Sequence, residues 1–81
     1  MDISAQPDPC TRGEDLHIKV SGAGAGSSVT LTLTDGEGHS STVVVQLDGG
    51  SGGANWTVPG NWGASVFITA PNGDSTTVAV Q

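Results

Sequence analysis

Residues 28–34 read Ser-Val-Thr-Leu-Thr-Leu-Thr, a strict alternation of apolar and hydroxyl-bearing side chains. Successive side chains of a β-strand point to opposite faces. The run therefore places Val29, Leu31 and Leu33 on one side and Thr30, Thr32 and Thr34 on the other. The same rule extends outward along the chain. Leu16, Ile18 and Val20 alternate with His17 and Lys19, and residues 41–47, 54–58, 64–70 and 76–80 repeat the pattern. Helical spacing of apolar residues is absent and 13 glycines punctuate the sequence, so no helix is predicted.

Turn chemistry separates these runs. Asp35-Gly36-Glu37-Gly38 joins 28–34 to 41–47, and Pro71-Asn72-Gly73-Asp74 joins 64–70 to 76–80; both read as hairpins. Gly22–Gly26 reads as a flexible connection. Asp48–Gly53 reads as the least structured stretch, a crossing between sheets or a mobile tip. Pro59-Gly60 ends a strand over 54–58 that carries Trp56 and Val58 on one face. Residues 1–14 hold Pro7 and Pro9 and little periodicity. They are expected as an N-terminal arm or an edge strand anchored by Ile3, because proline cannot donate to a central ladder. Short strands every 8–12 residues or so predict an all-β, two-sheet antiparallel sandwich of about seven strands, one domain over 1–81.

Composition narrows the function. Two basic residues stand against eight acidic ones, a net charge of −6. Nucleic-acid affinity comes chiefly from Lys and Arg on phosphates, so nucleic acid is not an expected partner. Anionic membrane surfaces are disfavoured too, and no apolar run is long enough to span a bilayer. No basic segment followed by an apolar one opens the chain, so no signal peptide is read. Cys10 is the single cysteine, which excludes an intrachain disulfide; it is expected as a half-buried thiol beside Pro9, with an intermolecular bridge as the alternative.

No catalytic constellation is legible, and the chain is read as a non-enzyme without cofactor or metal. His17 faces outward on the first clear strand and His39 lies by the Asp35–Gly38 turn, both expected in solvent. Neither has a nucleophile at a recognisable spacing. A zinc site from Cys10, His17 and His39 lacks structural-site spacing. Asp35, Glu37 and Asp48 are hard oxygen ligands that could take calcium, but no EF-hand pattern is present and turn chemistry accounts for Asp35 and Asp74. Asn55-Trp56-Thr57 fits a glycosylation acceptor, for which chance suffices. Trp56 is the expected core tryptophan. Trp62 is expected in a loop or at a strand start, capping the end of the sandwich. Phe67 sits between Val66 and Ile68 and must face away from them, onto a surface that is otherwise hydroxyl-rich.

Four frames carry a resemblance: Gly-Glu-Asp-Leu-His-Ile-Lys-Val-Ser-Gly (13–22), Val-Thr-Leu-Thr-Leu-Thr-Asp-Gly (29–36), Ala-Asn-Trp-Thr-Val-Pro (54–59), and Val-Phe-Ile-Thr-Ala-Pro-Asn-Gly-Asp-Ser-Thr-Thr-Val-Ala-Val (66–80). Together they resemble the immunoglobulin-like and fibronectin type III-like modules of bacterial surface proteins and bacteriophage virions. The resemblance spans about residues 5–81 and lies in strand-and-turn grammar; the cysteine pair of antibody-type domains is missing. It implies a non-enzymatic structural or binding module: a decoration or cement protein on the virion surface, bound to capsid or tail subunits. The alternative is an extracellular or cell-surface spacer, adhesin or carbohydrate-binding module of a larger secreted protein, with Trp62 as a sugar platform. The expected contact residues are Ile3, Pro7 and Pro9, in an arm lying on a neighbour's strand, and Trp62 and Phe67 as aromatic anchors.

Overall fold

Period-two alternation fixes which face of each strand is apolar, and two such faces bury each other. In the computed structural model, which describes residues 2–22 and 26–81, seven strands form: β1 (Asp2–Gln6), β2 (Asp15–Ser21), β3 (Ser28–Thr34), β4 (Ser40–Gln46), β5 (Gly52–Thr57), β6 (Ser65–Thr69) and β7 (Ser75–Ala79). They make a three-stranded sheet in the order β1-β2-β5 and a four-stranded sheet in the order β4-β3-β6-β7, with every strand pair antiparallel. This is the predicted two-sheet all-β sandwich. The Gly22–Gly26 connection falls partly on 23–25, outside the described residues.

The core is the set the alternation named. Leu16, Ile18 and Val20 of β2 meet Leu31, Leu33, Val45, Val66, Ile68 and Val78 of the other sheet, all essentially without solvent contact. Both predicted hairpins form. At Pro71–Asp74 the Ala70 N–H donates to Asp74 O at 2.7 Å, Asp74 N–H donates to the Asn72 side chain, and Gly73 takes a φ of 98°.

Asp48–Gly53 is the crossing between sheets, one of its two expected readings, but it is not the least structured stretch. It is ordered as a tight turn in which Asp48 and Ser51 exchange backbone hydrogen bonds, and Gly52 and Gly53 already belong to β5. The reason is steric: a Cβ on Gly52 would lie 2.0 Å from the Gln46 carbonyl oxygen. The glycine is there because β5 passes against the end of β4 where the chain changes sheets.

Residues 2–14 follow the edge-strand alternative rather than that of a free arm. Asp2–Gln6 pair with Ser21–His17 as an edge strand, and Ile3 and Ala5 lie half-buried against the core. The chain then crosses to the other sheet through exposed Pro7 and Pro9, and Cys10 bridges Val80 in parallel. Backbone bonds from Cys10 N–H to Ala79 O, Gln81 N–H to Cys10 O and Arg12 N–H to Gln81 O fasten it there. Cys10 is therefore fully buried rather than half-buried, and burial pushes its thiol pKa up.

Gly52→Ala is expected to destabilise the fold by roughly 1–3 kcal/mol through overpacking against Gln46. Gly60→Ala, where an added Cβ meets nothing, should stay within about 0.5 kcal/mol. Urea unfolding followed by tryptophan fluorescence measures both; equal effects would remove the steric account of Gly52.

Candidate functional site

One end of the sandwich is organised around a buried carboxylate. Asp35 follows β3 directly, and its side chain has no solvent exposure. Oδ1 accepts from Glu37 N–H at 2.8 Å and His39 N–H at 3.1 Å, while Oδ2 accepts from Gly63 N–H at 2.9 Å and His39 Nδ1–H at 2.5 Å. Burial alone would raise the Asp35 pKa. The hydrogen bonds from Glu37, the His39 ring, Gly63 and the His39 backbone outweigh it and hold the group well below the usual carboxylate range.

The same contacts seat Trp62. Arg12 Nε–H donates to Trp62 O at 2.9 Å and Nη2–H donates to Gly63 O at 3.0 Å, so the loop between β5 and β6 is held from both sides. Trp62 meets Trp56 edge-on with centroids 4.8 Å apart, and the His39 ring stacks over it at 6.1 Å. Trp62 is 6% exposed. This corrects the expectation of Trp62 as a surface anchor or sugar platform: it caps the sandwich from inside, and Trp56 is the half-buried member of the pair. His39 is likewise only partly in solvent, with Nε2 accepting from Asn61 Nδ2–H at 3.4 Å.

The other candidate residues are not brought together. His17 is exposed, its Nδ1–H donating to Asn55 Oδ1 at 2.6 Å, on the opposite face of the three-stranded sheet from the core that encloses Cys10. Cys10, His17 and His39 therefore share no site. Both Asp35 oxygens accept N–H bonds, and the register puts Asp48 at the far end of the sandwich, so Asp35, Glu37 and Asp48 form no oxygen cage. Among the described residues no group of His, Cys, Asp or Glu is placed to hold a metal ion, and no helix is long and apolar enough to cross a membrane. A shallow open depression on the outside of the three-stranded sheet is lined by Ser4, His17, Lys19, Ser21 and Gly53. Gly53, opposite Lys19 on this face, adds no side chain to fill it.

Phe67 does face outward, 40% exposed, with its ring against Gly36. The outer face around it is uniform in chemistry. One row across the sheet is Thr42, Thr32, Thr69 and Ser75; the next is Ser40, Thr34, Phe67 and Thr77. Thr30 and Val44 form a third row, and Val44 is 53% exposed. No outward position of β3, β4, β6 or β7 carries a charge. In a chain of net charge −6 that is a segregated surface. Val44 was legible as the middle of three consecutive valines, where alternation must turn one outward.

Comparison with protein-family models, with curated proteins and with solved structures finds no match.

Because the Asp35 pKa is lower folded than unfolded, its contribution to stability is complete above the ordinary Asp pKa of about 4 and is lost as pH falls below it. Denaturant midpoints measured at neutral and strongly acid pH should show a marked acid loss in the native chain. Asp35→Asn should be less stable at neutral pH and show a smaller acid loss; an unchanged acid limb would remove Asp35 from this role.

Proposed function

We propose that the chain is a non-catalytic structural module of immunoglobulin-like or fibronectin type III-like kind, seated on a protein assembly such as a bacteriophage capsid or tail. The observation that carries the reading is the uncharged outer face of the four-stranded sheet, with Phe67 and Val44 as its exposed apolar side chains. Charged groups are depleted, and aromatic ones enriched, at the centres of protein interfaces. Glu37, Asp48 and Asp74 lie in the turns beyond the ends of this face. A matching subunit therefore presents an apolar and hydroxyl-bearing centre with Lys or Arg at its rim, and association weakens as salt rises.

Several further observations support the reading. Seven strands divide into β1-β2-β5 and β4-β3-β6-β7, with β2-to-β3, β4-to-β5 and β5-to-β6 connections crossing between sheets, as in Greek-key sandwiches. Asp35, His39 and His17 are engaged with structural partners rather than with a nucleophile.

A second reading, a spacer or adhesive module within a larger secreted bacterial protein, is favoured by one feature. The register places Asp2 beside Ser21 at one end of the sandwich and Gln81 beside Cys10 and Arg12 at the other, along a long axis of 35 Å. Modules joined in series need that geometry.

Phage particles purified from a lysate encoding this chain should carry it, and Phe67→Ser should lower its occupancy while leaving the circular dichroism of the isolated chain unchanged. Particles lacking the chain, with the chain recovered instead as part of a longer secreted polypeptide, would replace the first reading by the second.

A further inference from the structure

The two edges of the four-stranded sheet differ in how they are protected. Residues 8–12 cover the edge of β7 at its last residue, Ala79, and along 80–81 beyond it. Among the described residues the edge of β4 is covered at Gln46, where Gly52 passes against its carbonyl. Leu47 N–H donates to Ser27 O and Asp35 N–H donates to His39 O, which sets the alternation of the β3–β4 ladder. The odd-numbered residues of β4 bond to β3. The backbone N–H and C=O groups of Ser40, Thr42 and Val44 therefore point away from the sheet.

This edge carries none of the usual devices against pairing. Residues 40–46 contain no proline, glycine, lysine or other charge, and four of the seven are β-branched Thr or Val. We propose that it pairs with the same edge of a second copy, antiparallel about a two-fold axis at Thr42. Thr42 then faces Thr42 of the partner subunit, and Ser40 faces Val44 of the partner subunit. All three outward-directed residues of each copy exchange hydrogen bonds, and exposed Val44 gains a neighbour. The contact is isologous, so it closes as a dimer rather than growing into a fibre.

Charge placement selects a second copy as occupant. Two chains of net charge −6 repel wherever carboxylates meet, and this seam and the outward side chains flanking it on β3 carry none. The nearest carboxylates, Glu37 and Asp48, lie beyond the ends of the seam, where those of one copy approach those of the other. Added salt therefore strengthens this dimer, opposite to the salt dependence of docking onto a basic-rimmed assembly. The two proposals can fail separately.

Analytical ultracentrifugation of the isolated chain over a wide concentration range tests the pairing. The native chain should reach a dimer, more completely at higher salt. Thr42→Pro deletes an outward N–H without removing a β3–β4 bond, and Val44→Lys places a charge on the edge. Each should raise the dimer dissociation constant roughly tenfold or more with unchanged far-UV circular dichroism. Thr30→Lys, on the same face but one strand inward, should leave it within about threefold. Should Thr42→Pro disturb the fold, Val44→Lys decides alone. A monomer at every concentration, a dimer that both edge variants leave intact, or a greater loss in Thr30→Lys than in Val44→Lys would overturn the pairing.

Discussion

The Asp35 carboxylate has to be satisfied inside the protein, and the closed end of the sandwich follows from how that is done. A buried carboxylate is costly unless it is fully hydrogen-bonded. Here the donors come from two places far apart in sequence, the turn at Glu37–His39 and the loop at Gly63. The first belongs to the β3–β4 hairpin, and the second to the crossing that carries the chain from β5 into β6. One side chain thus fixes a connection between sheets. Trp62 is adjacent to the fixed glycine, and Arg12 grips the carbonyls of both residues, so the indole has only the inside of the sandwich to occupy. From Arg12 the same set of contacts runs back through Cys10 to Val80, the last residues of the chain.

What could be read from the sequence depended on whether the deciding interaction was local. The alternation over Ser28–Thr34 and Asp15–Ser21 specified strands and their buried faces, because period two leaves no other assignment of Leu31 or Ile18. Asn72-Gly73-Asp74 specified its turn from its own chemistry. Gly52-Gly53 resembled a loop by the same local logic, and only the close passage of the Gln46 carbonyl reveals a strand. Trp62 follows Pro-Gly-Asn, which marks a loop correctly but says nothing about its depth. Its burial is decided by Asp35 and Arg12, 27 and 50 residues away in sequence respectively. The outward face of Phe67 was legible, since neighbours Val66 and Ile68 claim the core.

The distribution of charge is organised at the level of faces rather than pairs. The acidic residues lie in turns, at the sandwich ends and on the three-stranded sheet, while the outward side of the four-stranded sheet displays hydroxyls, Gln46, Ala79 and two apolar side chains. Threonine serves both needs of that surface. Its branched Cβ suits the pleated backbone, and its hydroxyl keeps the face wettable without charge. The core alternation and the neutral face are therefore two sides of one sequence pattern: Leu-Thr-Leu-Thr writes both at once.

The parallel bridge between residues 10–12 and 79–81 has a mechanical meaning. The chain leaves the sandwich at opposite ends, and these two segments run side by side in the same direction. Tension applied between the ends draws them lengthwise past each other, so their hydrogen bonds bear the load together instead of opening one after another. Cys10, Val80 and the Arg12 clasp would act as a shear lock, yielding abruptly under stretch where a peeled hairpin would unzip gradually.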